Sequence, residues 1–66
     1  MTQRIEDLIE VFTNSKEPLT SLQIIEELSK RGYSFIEARR LIAEAVRMGL
    51  LRKVESNAKE AFELNQ

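Results

Sequence analysis

The feature that most constrains this sequence is a two-residue gap between two predicted helices. A helix over residues 20–31 is predicted to end at Gly32, which adopts a left-handed backbone conformation without strain. Ser34 then opens a helix over residues 34–48, because a serine followed three residues later by a glutamate forms a capping box. Gly32 and Tyr33 alone join the two helices, so these helices must cross at a steep angle.

An amphipathic helix over residues 3–14 is predicted to precede this pair. Its apolar residues recur at intervals of three and four along one face, which is typical of a helix that packs on a core: Ile5, Leu8, Ile9 and Phe12. Pro18 interrupts the helical pattern, and Leu19 can add a very short strand. Thr20 and Gln23 then form a capping box at the start of the second helix.

After Gly49 the period of the apolar residues changes to that of a β-strand, so residues 50–64 predict a two-stranded hairpin with its turn near residues 56–59. Four side chains are expected to face the core: Phe62, Leu64, Val54 and one of Leu50 or Leu51. The face of Arg52 stays open. The predicted fold is mainly α with a small β-hairpin (α+β), as one domain over residues 1–66.

Charge is distributed unevenly along the chain. Residues 1–29 carry two basic and six acidic side chains, a net charge of −4, whereas residues 30–59 carry eight basic and three acidic ones, a net charge of +5. The formal net charge of −1 and the pI near 5.4 are lower than a nucleic-acid-binding domain usually has. If the fold turns the basic segment to one side, that side is suited to DNA. The alternative is solvating charge scattered over the surface.

The helix over residues 34–48 carries arginines on the face opposite its predicted core face. A rotation of about 100° per residue places six residues toward the core: Phe35, Ala38, Leu41, Ile42, Ala45 and Val46. The same count places four on the outer face: Ile36, Arg40, Ala43 and Arg47. Glu37 and Glu44 border this outer row. Because Arg40 and Glu44 are spaced to form an ion pair, a merely solvated face is the alternative to a binding face.

The order of these elements resembles that of winged helix-turn-helix proteins, in which the hairpin is called the wing. The likeness covers nearly the whole chain and is carried by three joints: Pro18–Leu19–Thr20, Gly32, and Met48–Gly49–Leu50–Leu51–Arg52. These joints are similar to those of small prokaryotic and archaeal transcription regulators of the MarR and ArsR type. The resemblance implies a protein that binds double-stranded DNA, with its third helix in the major groove and its wing on the DNA backbone.

The resemblance also implies roles for individual residues. The outer row of the third helix would contact base edges, with Arg40 suited to a guanine and Ile36 to a thymine methyl group. Contacts to phosphate are expected beside this row and at helix N-termini: Thr20, Ser21, Ser34 and Arg39. The wing would contribute further cations: Arg52, Lys53 and Lys59.

Two further expectations concern partners. Winged helices also dock onto other proteins, so a protein-interaction module without DNA binding is the alternative function. A homodimer is expected because a small core gains from added burial and because many regulators read two half-sites. Val11 is expected to be exposed, since it lies about 110° from the centre of the apolar stripe of its helix. It is the expected dimer contact in the first helix, and an isolated exposed apolar residue is the alternative.

The residue types present argue against several other functions. The chain contains no His and no Cys, the commonest general base and the commonest zinc ligands, and it has no glycine-rich phosphate loop. We therefore expect no catalysis, no metal, no cofactor and no small-molecule ligand. No apolar run approaches the roughly 20 residues that span a bilayer, and the first ten residues carry acids. The sequence thus predicts a soluble, cytoplasmic protein that does not bind membranes.

Overall fold

A computed structural model describes residues 4–65 of the chain and contains three helices followed by an antiparallel hairpin. The elements are α1 (Ile5–Thr13), α2 (Ser21–Lys30), α3 (Phe35–Arg47), β1 (Leu51–Ser56) and β2 (Lys59–Leu64). The predicted order of elements is confirmed, and the helix boundaries agree within two residues where they can be compared. Gln3, the predicted start of the first helix, lies outside the described residues.

Both predicted capping boxes are present. At α2 the backbone N–H of Gln23 donates to Thr20 Oγ1 over 3.2 Å, and the backbone N–H of Thr20 donates to Gln23 Oε1 over 2.9 Å. At α3 the N–H of Glu37 donates to Ser34 Oγ over 3.1 Å, and the N–H of Ser34 donates to Glu37 Oε1 over 2.9 Å. Each box satisfies backbone donors that a helix leaves unpaired in its first turn, so each fixes where its helix begins.

Glycines end α2 and α3 in the same way. Gly32 and Gly49 have φ values of 96° and 80°, in the left-handed region that side chains with a Cβ rarely adopt. After α2 the N–H of Tyr33 donates to Leu28 O over 3.1 Å, and after α3 the N–H of Leu50 donates to Ala45 O over 2.9 Å. These are the long hydrogen bonds of two Schellman motifs, which reverse the chain sharply and leave each helix capped.

A two-residue turn sets the register of the hairpin. Asn57 and Ala58 have φ values of 54° and 63°, so both central residues of the turn are left-handed, as in a type I′ turn. Ser56 therefore pairs with Lys59, and the remaining pairs follow along the strands: Glu55 with Glu60, Val54 with Ala61, Lys53 with Phe62, Arg52 with Glu63, and Leu51 with Leu64.

Leu19 adds a bridge on the free edge of β2, as the sequence predicts. The N–H of Leu19 donates to Phe62 O over 2.9 Å, and the N–H of Phe62 donates to Leu19 O over 2.8 Å. The segment before α2 is thereby attached to the hairpin, and β2 lies between this segment and β1.

One cluster of buried side chains joins all three helices to the hairpin. Its members are Leu8, Val11, Phe12, Ile24, Ile25, Leu28, Tyr33, Ala38, Leu41, Ile42, Ala45, Leu51 and Phe62. Tyr33 belongs to this core and also bonds to the start of α1. Its hydroxyl donates to Asp7 Oδ2 over 2.6 Å and accepts from the N–H of Arg4 over 2.9 Å. Burial, and then the hydrogen bond to Asp7, raises the pKa of Tyr33 above its ordinary value of 10.0.

Three sequence-based expectations about burial are wrong. Val11 is only 5% exposed and packs in the core, whereas Ile9 is half-buried, because α2, α3 and β2 cover a different arc of α1 from the one predicted. Val11 is therefore no surface contact for a second copy. Phe35 is 56% exposed, since a side chain in the first turn leans past the helix end. Val54 is half-buried on the opposite face of the hairpin from Phe62, because the turn pairs it with Ala61.

Candidate nucleic-acid interface

The outer row predicted for α3 is exposed along its whole length. Ile36, Arg40, Ala43 and Arg47 all lie on the surface, and Ile36 retains 64% of its accessible area. The opposite side of the same helix carries the fully buried Ala38 and Ala45. The row is therefore free to contact a partner, and the core does not depend on it.

The two glutamates that border this row are engaged away from Arg40. The Glu37 carboxylate accepts the backbone N–H of Ser34, and the hydrogen bonds from Ser34 lower the pKa of Glu37 below its ordinary value of 4.5. Glu44 lies 3.9 Å from Arg47, not beside Arg40 as its spacing allows. Within residues 4–65 Arg40 forms no salt bridge, so its guanidinium is available to an external acceptor.

The described cations divide into paired and unpaired groups. Lys30 pairs with Glu27 over 3.2 Å, and Arg31 pairs with Glu10 of α1 over 2.8 Å, so acids of the first two helices offset them. Across residues 4–65 five cations have no such partner: Lys16, Arg39, Arg40, Lys53 and Lys59. Four of these five belong to α3 and the hairpin, which concentrates the unpaired positive charge in the second half of the chain.

An open cleft separates α3 from the hairpin and encloses about 590 Å³. Its floor is apolar and is formed by Ile25, Ile42, Val46 and Phe62, and the exposed Ala43 lies at its edge. Its rim is polar and is formed by Ser21, Arg39, Arg47, Lys53 and Glu60. Three cations and one anion thus border the cleft, with Lys53 and Glu60 both on the hairpin, and this excess of positive charge favours an anionic ligand.

The hairpin register decides which of its cations face this cleft. Alternate residues of a strand point to opposite faces, so Lys53 shares the cleft side with its partner Phe62, whereas Arg52 lies on the other side. There Arg52 Nε donates to Glu63 Oε2 over 2.6 Å, beside the loop at residues 15–18. The two residues therefore lie on opposite faces of the hairpin, which assigns the face of Arg52 that the sequence left open.

Lys59 lies at the hairpin tip, where it pairs with Ser56, and it is exposed on the same side as Arg52. The sequence analysis did not foresee that the cleft side of the tip carries acids. Glu55 and Glu60 lie directly opposite each other there, an arrangement that is repulsive in a sheet. The alternation of residues along 59–64 would have placed Glu60 beside Lys53, had the register been known.

The predicted phosphate contacts at helix N-termini have different surroundings. Ser34 and Thr20 use their hydroxyls as helix caps, and the Glu37 carboxylate already occupies the N-terminus of α3. A second anion at that helix end would meet this carboxylate, which disfavours Ser34 as a phosphate contact. Ser21 is exposed and lies on the rim of the cleft. Ser21 is thus the one of the three whose surroundings suit a phosphate.

Arg39 is positioned by an aromatic contact. Its guanidinium carbon lies 5.7 Å from the centre of the exposed Phe35 ring, within the range of a cation–π interaction. The ring thus lies beside a cation of the cleft rim and not in the core.

No family model matches the chain, and neither the curated proteins nor the solved structures contain a significant match. Among the described residues, no helix is both long enough and apolar enough to cross a membrane.

Proposed function

We propose that this chain binds double-stranded DNA as a small transcription regulator of the winged-helix type. The order of its helices and hairpin supports this proposal, as do the two capping boxes and the two glycine-ended helices. In the proposed complex α3 lies in the major groove, and the cleft between α3 and the hairpin receives one strand of the DNA backbone.

The observation that carries the proposal is the grouping of Arg39, Arg47 and Lys53 around one cleft next to the unpaired Arg40. Cations that neutralise phosphates release counterions, so affinity must fall steeply with added salt. Glu60 opposes this effect at the rim. We therefore expect moderate affinity for DNA of arbitrary sequence, with a dissociation constant of about 10⁻⁴–10⁻⁶ M near physiological salt.

The test uses two neighbouring lysine and arginine side chains as a matched pair. Fluorescence anisotropy with a labelled duplex of mixed sequence, at increasing salt, gives the slope of log affinity against log salt. Lys53→Ala removes a cation from the cleft and should reduce this slope by about one unit. Arg52→Ala removes the same charge from the opposite face of the same strand and should leave the slope unchanged. Equal effects of the two variants, or no binding by the parent at low salt, would refute the proposal.

The alternative function is a protein-docking module, and one observation favours it. Phe35 and Ile36 are adjacent, large and exposed at the start of α3. In a docking module Ile36→Asp would abolish a protein complex, whereas Arg40→Ala with Arg47→Ala would leave duplex binding as weak as in the parent. The DNA-binding function predicts instead that the variant with both Arg40→Ala and Arg47→Ala binds the duplex more weakly than the parent does.

A homodimer remains part of the proposal, with a contact that cannot include the buried Val11. Two copies bound in successive major grooves would be about 34 Å apart, and one copy is 33 Å long. Sedimentation equilibrium at high micromolar concentration, with and without duplex, tests this point. A species of 7.7 kDa alone without duplex, together with a complex of one copy per duplex when duplex is present, would exclude the dimer.

A further inference from the structure

Two large apolar side chains project from the first turn of α3, and their surroundings differ. Phe35 lies beside the Arg39 guanidinium, toward the cleft. Ile36 is 64% exposed, and the helical count places it next to Arg40 on the outer row. Ile36 is thus an apolar surface directly beside a cation that forms no salt bridge within residues 4–65.

Ile36 and Arg40 are one helical turn apart, so their Cβ atoms are separated by about 5–6 Å on the same face. Helical side chains lean toward the helix N-terminus, and the Arg40 side chain therefore extends toward Ile36. The small Ala43 comes next in the row and leaves space for a flat surface to approach. A guanidinium and a branched apolar group can consequently contact two adjacent units of one partner.

The charge around this pair favours a polyanion as that partner. Arg39 and Arg47 flank it on α3, Lys53 faces the same helix across the cleft, and neither neighbouring glutamate pairs with Arg40. The DNA major groove presents both complementary groups on adjacent bases. Guanine offers O6 and N7 to a guanidinium, and a pyrimidine with a C5-methyl group offers an apolar surface.

Building on the proposed DNA binding, we propose that α3 recognises a C5-methylated pyrimidine next to a guanine. Ile36 contacts the methyl group, and Arg40 donates to guanine O6 and N7. Thymine and 5-methylcytosine carry the same methyl group at the same place in the major groove. The shared chemistry is therefore the C5-methyl group, and the two bases must be compared in the test.

The experiment starts with the full chain and a pool of random duplexes, from which bound sequences are enriched and read. We expect enrichment of thymine next to guanine. In the enriched duplex, thymine is then replaced by uracil, which removes the methyl group alone. A second pair of duplexes carries cytosine or 5-methylcytosine at the same position. Loss of the methyl group should weaken binding about fourfold in each comparison, the effect expected for one buried methyl group. Replacing guanine by 7-deazaguanine should weaken binding of the parent, because it removes the N7 acceptor.

Protein variants then assign the two contacts. Ile36→Ala should bind the thymine and uracil duplexes equally, and Arg40→Ala should no longer distinguish guanine from 7-deazaguanine. Met48→Ala is the matched control, since Met48 is 57% exposed at the other end of α3 and should retain the full methyl effect. The thermal midpoints of all three variants should equal that of the parent, which shows that each is folded.

The possible failures are distinguishable. If the parent enriches duplexes but binds uracil as well as thymine, or if Ile36→Ala weakens both duplexes and keeps the fourfold difference, the methyl contact is refuted while DNA binding stands. If only the thymine pair responds, or only the 5-methylcytosine pair, that base is identified as the source of the methyl group and the contact is supported. If the parent binds the random duplexes at low salt but enriches no sequence, both base contacts are refuted while DNA binding stands. If the parent binds no duplex at low salt, DNA binding itself fails.

Discussion

Replacing Ala58 with glycine should stabilise this protein, because Ala58 is the one residue of the described chain with a methyl side chain in the left-handed region. Its φ of 63° is unfavourable for alanine, whereas glycine adopts such an angle readily. The left-handed conformation costs an alanine roughly 1–2 kcal/mol. Glycine removes this cost, but the extra freedom that it gives the unfolded chain offsets about 0.4–1 kcal/mol of the resulting gain in stability.

The expected net effect of Ala58→Gly is therefore an increase of about 0.5–1 kcal/mol in the free energy of unfolding. In a domain of this size, 1 kcal/mol corresponds to about 4–8 °C in the thermal midpoint, so a rise of about 2–8 °C is expected. Thermal and urea unfolding, followed by circular dichroism at neutral pH, measure both quantities. Asn57→Gly is the matched control and should change stability much less, because asparagine tolerates the left-handed region.

The same turn sets the register that places Lys53 on the cleft side, so the stability of Ala58→Gly also tests the proposed contact of Lys53 with DNA. If Ala58→Gly leaves stability unchanged or lowers it, position 58 does not have the left-handed conformation. The strand pairing would then differ, and with it the assignment of Lys53 and Arg52 to opposite faces. Proton–proton contacts between Val54 and Ala61 in an NMR spectrum would test the register directly.

Three further predictions follow from buried or bonded groups. Tyr33→Phe should lower the free energy of unfolding by about 1 kcal/mol at pH 7 in urea, since it removes the bond to Asp7. Because the folded pKa of Tyr33 is raised, the parent should lose stability relative to Tyr33→Phe as pH rises above 10; parallel curves at pH 7–11 would contradict this. The lowered pKa of Glu37 stabilises the fold above about pH 4.5 and ceases to do so as pH falls through the lower folded value. The free energy of unfolding of Glu37→Gln should therefore change less between pH 5 and 2 than that of the parent. If NMR shows that the Glu37 carboxyl of the parent titrates at its ordinary pKa, the cap is excluded. Val11→Ala should lower stability by about 2 kcal/mol equally at micromolar and millimolar protein, whereas a loss that depends on concentration would restore Val11 as a dimer contact.

Local chemistry in the sequence was sufficient to predict the joints of the fold. The Thr20 and Ser34 caps and the stops at Gly32 and Gly49 depend on hydrogen bonds and dihedral angles of residues close in the chain. Such preferences act whatever the rest of the molecule does. The exposed outer row of α3 was predictable for a related reason, since one strong helical period separates its buried and exposed faces.

Only the tertiary structure decided the hairpin register, the orientation of α1 and the pairing of the charges. Glycine is absent from the turn, so residues 56–59 alone did not define a two-residue loop, and a shift of one residue would exchange Lys53 with Arg52. Apolar residues cover more than one stripe of α1, so packing by its neighbours determined that Val11 is buried. Glu44 could reach either Arg40 or Arg47, and long flexible side chains at a surface choose partners by small energy differences that spacing does not reveal. The sequence by itself therefore determined where the elements begin and end, while contacts between distant segments determined which cations lie at the cleft.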